Sequence, residues 1–204
     1  MSDKIKCELV SWEHFYALAR DLAFQIHDAG YIPDMIIAVA RGGYMPGRVL
    51  CDFLDIMDLN TFRVEHYHGA HKEPLARIKY PLAANVDGKR VLVVDDVSDT
   101  GDTFVVAIDH IRKYGRPAEI KTATLHHKTV SRFEPDFYAQ IVMQWRWIIY
   151  PWAVTEDVGG FINAMEPSPA SINDISDRLL RDYGIEVPKQ SLLDILKLQG
   201  HPLG

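Results

Sequence analysis

The sequence predicts a doubly wound α/β fold built on a parallel sheet, and three observations carry that prediction. Two short runs, residues 35–40 and 90–94, are almost wholly apolar, as strands covered on both faces must be. Segments with helical spacing of apolar residues alternate with strand-like segments, which is the pattern of α/β proteins. Each apolar run also ends in a short turn of glycine or acidic residues that opens a helical segment, Arg41-Gly42-Gly43 after the first and Asp95-Asp96 onward after the second.

The elements follow in order. Between Ser11 and Gly30 the residues Phe15, Leu18, Leu22 and Ile26 recur at helical spacing, with Ser11 as N-cap and Gly30 as the stop. After the first buried strand, residues 46–57 are expected to be helical and 61–67 a strand. Residues 67–87 are polar, contain Gly69, Pro74 and Pro81, and are long for a connection, which predicts a mobile or functional loop. The second buried strand leads to a helix over 102–114, and strands are expected over 120–125 and 137–143. Beyond Pro167-Ser168-Pro169 the spacing of Ile172, Ile175, Leu179 and Leu180, then of Leu192, Leu193, Leu196 and Leu198, predicts two short helices broken at 184–188. The sequence contains no internal repeat.

A chain of 204 residues suits one ordinary domain with a small appendage. No run approaches the roughly 18 apolar residues of a membrane span, and residues 1–6 lead into no apolar signal segment, so a cytoplasmic protein with no membrane partner is expected. Its net charge of -6 disfavours nucleic acid as the main partner, because phosphate backbones are held by clusters of Lys and Arg. Cys7 and Cys51 lack CxxC spacing, which leaves no disulfide framework or structural zinc site.

Chemistry concentrates in the stretch Val91 to Thr103. Thr100, Gly101 and Thr103 at a helix start offer N–H groups and hydroxyls to a phosphate. The adjacent Asp95 and Asp96 at a strand end can bind a vicinal diol directly or through Mg2+. Taken singly, the acid pair reads equally well as a solvated strand terminus, and the turn as an ordinary cap. Arg41, Gly42 and Gly43 form a second glycine turn, where the backbone can approach an anion and the guanidinium adds a fixed charge; alone it is also a plain βα turn. His66, His68 and His71 could be metal ligands or part of a solvated lid. Lys128 after a strand is often a surface charge, and the aromatics from Trp147 to Trp152 are often core.

Together these stretches resemble type I phosphoribosyltransferases, specifically the purine (xanthine-guanine and hypoxanthine-guanine) branch, over residues 34–158. The resemblance implies transfer of ribose 5-phosphate from phosphoribosyl pyrophosphate to a 6-oxopurine (hypoxanthine, guanine or xanthine) with release of pyrophosphate, in purine salvage, by a Mg2+-dependent homodimer. It further implies that Asp95 and Asp96 hold the ribose hydroxyls and magnesium, and that Asp99, Thr100, Gly101, Asp102 and Thr103 form the 5-phosphate loop. Asp99 is implied as general base. Arg41, Gly42 and Gly43 become the pyrophosphate loop, with a cis peptide between Ala40 and Arg41. Lys128, Trp147 and Ile148 become the base site, and Tyr67 a cover residue.

Two positions depart from the family pattern. Asp102 stands where relatives often carry an uncharged residue, so its carboxylate is expected to point away from the phosphate. Ala153 replaces an acid that relatives use for a second magnesium, leaving Glu156 or Asp157 as substitutes. The expected organisation is a phosphoribosyltransferase domain over 1–166, with a small hood from the N-terminal region and residues 137–152, and a helical extension over 167–204. Rival readings are a family member acting on adenine or a pyrimidine, and a non-enzymatic sensor of phosphoribosyl pyrophosphate.

Overall fold

The structure, a computed structural model, describes residues 5–67 and 75–200. It forms two units, one of residues 16–144 and the other of residues up to Phe15 together with those from Trp145 onward.

The first unit is a six-stranded sheet in the order β4-β3-β2-β5-β6-β7, with β2 (Met35–Ala40), β3 (Leu59–Tyr67), β4 (Leu75–Tyr80), β5 (Arg90–Ser98), β6 (Glu119–Lys128) and β7 (Phe137–Val142). All neighbours are parallel except β3 and β4. The two faces separate along β2. Met35, Ile37 and Val39 join one core cluster with Phe104, Ala107 and Ile111 of α3 (Asp102–Tyr114). On the opposite face a Cβ at Gly47 would lie 3.1 Å from the Cβ of Ala38, so α2 (Tyr44–Phe53) lies close against the sheet there. The sheet is therefore doubly wound, as predicted. Helix α1 (Trp12–Asp28), most of which belongs to this unit, starts at the expected cap, with the His14 amide donating to Ser11 Oγ at 3.1 Å.

Strand order fixes where a ligand can bind. From β2 the chain passes through α2 to β3 on one side, and from β5 it passes through α3 to β6 on the other. The carboxyl ends of the neighbouring strands β2 and β5 thus flank the switch point at which open α/β sheets receive ligands. Both glycine-rich or acidic turns singled out in the sequence leave the sheet at this point.

The second unit contains a two-stranded parallel sheet, β1 (Cys7–Leu9) with β8 (Trp147–Ile149), and the helices α4 (Val154–Asn163), α5 (Ile172–Arg178), which runs into a π-helical turn over Leu179–Tyr183, and α6 (Lys189–Leu198). Its core joins Cys7 and Ile149 of the strands, Val158 and Ile162 of α4, and Ile175, Leu179, Ile185, Leu192, Ile195 and Leu196 of the tail. The leucine spacing of the extension thus buries a face, as expected of short helices that are marginal alone.

Two expectations need correction. Residues 137–142 are not part of the hood: they pair in parallel with β6 as the edge of the main sheet, because an apolar strand beside a buried neighbour satisfies its backbone there. Nor is 67–87 a continuous loop. Residues 75–80 form β4, which turns Ala76 and Ile78 toward the core while Lys79 pairs with Glu65 across the ladder at 2.7 Å. The roles weighed for Tyr67, His66, His68 and His71 fall on side chains outside the described residues.

Truncation before Ser168 removes most of the tail's buried side chains, each worth roughly 1.5–3 kcal/mol on burial, against a total domain stability of about 5–15 kcal/mol. The truncated chain is expected to melt at lower temperature and to aggregate, measured by thermal unfolding and size-exclusion chromatography. Unchanged mass, stability and activity would show that this packing is dispensable.

Candidate active site

At the end of β5, Asp95 is buried and Asp96 half-buried, and the Asp96 amide donates to Asp95 Oδ1 at 3.0 Å. Burial, followed by the charge of Asp96, pushes the Asp95 carboxyl well above the usual carboxylate range. The pair therefore has a strong electrostatic appetite for a cation or for hydroxyl donors.

Across the switch point, the turn after β2 presses directly on this pair. A Cβ at Gly42 would fall on the carboxylate of Asp96, and one at Gly43 on the carbonyl oxygen of Val94 and the backbone of Val39. Glycine at both positions is thus a packing requirement. The structure brings Gly42 and Gly43 together with Asp95 and Asp96, next to the exposed Arg41, and the Ala40–Arg41 peptide is cis.

The turn between β5 and α3 has its own support. Gly101 has φ of +88°, and a Cβ there would meet Phe133 and Ser131, the nearest atom at 2.5 Å, so any side chain is excluded on two grounds. The Arg132 amide donates to the Thr100 carbonyl at 3.0 Å, and Phe133 stacks on Phe104 with centroids 5.3 Å apart. Ser131 and Phe133, which back this loop, carried no periodic or motif signal in the sequence; only contact reveals them. The Asp102 carboxylate is held by its own turn. It accepts a hydrogen bond from Thr100 Oγ1 at 2.9 Å, since an aspartate two residues after a threonine at a helix start readily closes such a turn.

Beside the loop, Lys128 at the end of β6 reaches Asp99, with Nζ to Oδ2 at 2.8 Å. The lysine side chain is only 2% exposed and that of Asp99 34%. The Asp99 carboxylate thus holds a buried ammonium at the carboxyl end of β6.

Trp147 and Ile148 belong to the other unit. Both sit in β8, opposite Cys7 and Glu8, with Trp147 40% exposed and Ile148 buried. Trp147 shares a side-chain hydrogen bond with Asp157, in which only the indole N–H can donate. Burial pushes the Asp157 carboxyl up to about 6 despite that bond. Asp157 and Glu156 lie in the first turn of α4, just past Ala153. Among the described residues no cluster of three His, Cys, Asp or Glu could hold a metal by itself, and no helix is long and apolar enough to cross a membrane.

This fold and site define a class: a doubly wound sheet with an acid pair, a threonine-glycine turn that opens a helix and a second glycine turn at its switch point. The family model for the phosphoribosyl transferase domain matches residues 7–157. The chain is 32% identical over 149 residues to the xanthine-guanine phosphoribosyltransferase of Cereibacter sphaeroides, covering 70% of this chain and 84% of that protein. It is 31% identical over 153 residues to the protein of the same name from Desulfotalea psychrophila, covering 74% and 90%. Among solved structures, the purine phosphoribosyltransferase of Pyrococcus horikoshii superposes with a TM-score of 0.63 at 35% identity, covering 72% of this chain and 93% of that one. The chain belongs to the phosphoribosyltransferase family.

Proposed function

We propose that the protein is a purine phosphoribosyltransferase that transfers ribose 5-phosphate from phosphoribosyl pyrophosphate to a 6-oxopurine, releasing pyrophosphate, in purine salvage. The observation that carries this reading is the Lys128–Asp99 pair at 2.8 Å beside the 5-phosphate loop. The names of the relatives from Cereibacter, Desulfotalea and Pyrococcus agree with it.

In this reading the purine ring nitrogen attacks the anomeric carbon of the donor. The new carbon–nitrogen bond forms as the carbon–oxygen bond to pyrophosphate breaks, and the ring proton passes to Asp99. Lys128 donates to the O6 oxygen, where charge gathers as that proton leaves. Thr100, Gly101 and Thr103 anchor the 5-phosphate, and Arg41, Gly42 and Gly43 approach the pyrophosphate. Asp95 and Asp96 hold the ribose hydroxyls.

The buried acid pair also fits magnesium, whose hard oxygen ligands would be these carboxylates together with donor oxygens and water. When bound, magnesium supplies charge neutralisation for the departing pyrophosphate.

The catalytic assignment spans 1–166, with 167–204 as a helical extension, and the working form is a homodimer in the cytoplasm. The test is a panel of hypoxanthine, guanine, xanthine, adenine and uracil incubated with phosphoribosyl pyrophosphate and Mg2+. Nucleotide and pyrophosphate should form together with at least one 6-oxopurine. Formation with uracil alone, or with none, rejects the reading.

A further inference from the structure

Asp102 occupies an odd place for a carboxylate. It is the first residue of α3, at the positive end of the helix dipole, inside the loop that the preceding section assigns to the 5-phosphate. Its Oδ2 takes the hydrogen bond of Thr100 Oγ1 at 2.9 Å, and its own amide points back at that hydroxyl at 3.4 Å. Among the described residues Asp102 has no ion-pair partner. The carboxylate thus already holds the threonine hydroxyl that a phosphate would need here, beside helix N–H groups that it leaves uncapped.

We propose that Asp102 is an internal competitor for the 5-phosphate, and that it sets how tightly the loop retains any phosphorylated ribose. This rests on the 5-phosphate reading of residues 99–103. With the site empty, the carboxylate satisfies Thr100. A ligand phosphate has to take that hydroxyl from it and then sit beside a like charge, so both the donor and the nucleotide product are held more loosely than in a loop with an uncharged residue. Pyrophosphate, which belongs to the Arg41 turn, is outside this competition. The consequence for turnover is faster release of nucleotide.

The test uses Asp102→Asn, which keeps the shape and the ability to accept from Thr100 but removes the charge, with Asp102→Ser as a second variant. Dissociation constants are measured calorimetrically on the full chain, without a purine base, for phosphoribosyl pyrophosphate with Mg2+, for guanosine 5′-monophosphate and for inorganic pyrophosphate. Both variants should bind the first two ligands roughly tenfold more tightly, the scale of a charge at a helix N-terminus, and bind pyrophosphate as the wild type does. Unchanged or weaker binding of the phosphorylated riboses overturns the proposal, as does equal tightening of pyrophosphate. Thr103→Val separates this from the reading beneath it: if that variant binds guanosine 5′-monophosphate as the wild type does, the loop is not the 5-phosphate site and both fall. If it binds more weakly while Asp102→Asn gains nothing, only the competitor role is lost.

Discussion

Asp99→Asn is expected to lower turnover with a 6-oxopurine by about 10²- to 10⁴-fold, the usual contribution of a positioned acid–base group. Asparagine keeps the size of the side chain and can still accept from Lys128 Nζ, now 2.8 Å from the carboxylate. What it cannot do is take a proton. Affinity for phosphoribosyl pyrophosphate, measured without base, should stay within a few-fold of wild type, since the donor's phosphates rest on neighbouring residues. One side effect must be separated from the chemistry: removing the charge beside a buried ammonium destabilises the pair's surroundings. A thermal melt measures that part, and the single-turnover rate at saturating donor and base measures the other. Wild-type turnover in the variant would remove Asp99 from this role.

Lys128→Ala carries the second large effect. An ammonium has donors only, so it satisfies the O6 acceptor of an oxopurine but opposes the amino group of adenine. Two buried donors facing each other go unpaired, and sites built on one specific hydrogen bond reject the mismatched analogue by roughly 10⁴. The wild type should therefore discriminate strongly against adenine, and Lys128→Ala should lose oxopurine turnover by about 10²-fold or more while binding phosphoribosyl pyrophosphate almost normally. Because the side chain is only 2% exposed, alanine also leaves a cavity. Lys128→Met fills that volume without the charge, so a shared loss in both variants assigns the effect to the ammonium. Efficient use of adenine by the wild type would remove both the role of Lys128 and the 6-oxopurine class.

Much of this was legible in the sequence where local pattern and tertiary demand coincide. The helix over 102–114 appears with those bounds, since a strong turn fixes its start and Gly115 lies just past its end. Strands β2 and β5 announced themselves because double burial forces continuous apolar composition. Other elements stayed hidden for physical reasons. Strand β4 alternates with only small or modest apolar residues, Ala76 and Ile78, and its outward Arg77 and Lys79 gave it the polarity of a loop. Strand β1 has three residues, too few for any period to show. Helix α4 was missed because Gly159 and Gly160 weaken its propensity, while buried Val158 and Ile162 hold it through packing. In the candidate site, residues marked by chemical type were visible, namely the acids, the glycines, Arg41 and Lys128. Residues that act by shape, Ser131 and Phe133 behind Gly101, were not. The hydrogen bond between Thr100 and Asp102 also carried no signal, because it is decided by a neighbour's hydroxyl and not by the helix pattern.

The parallel pairing of Cys7–Leu9 with Trp147–Ile149 imposes an order of events on synthesis. These strands are separated by about 140 residues of chain, so their contact carries a heavy loop-closure penalty and belongs to the slow, non-local class. The whole six-stranded sheet lies between them in sequence, so all of its strands are synthesised before β8. A nascent chain can therefore complete the acid pair, both glycine turns and the Lys128–Asp99 contact while its first strand still waits for a partner.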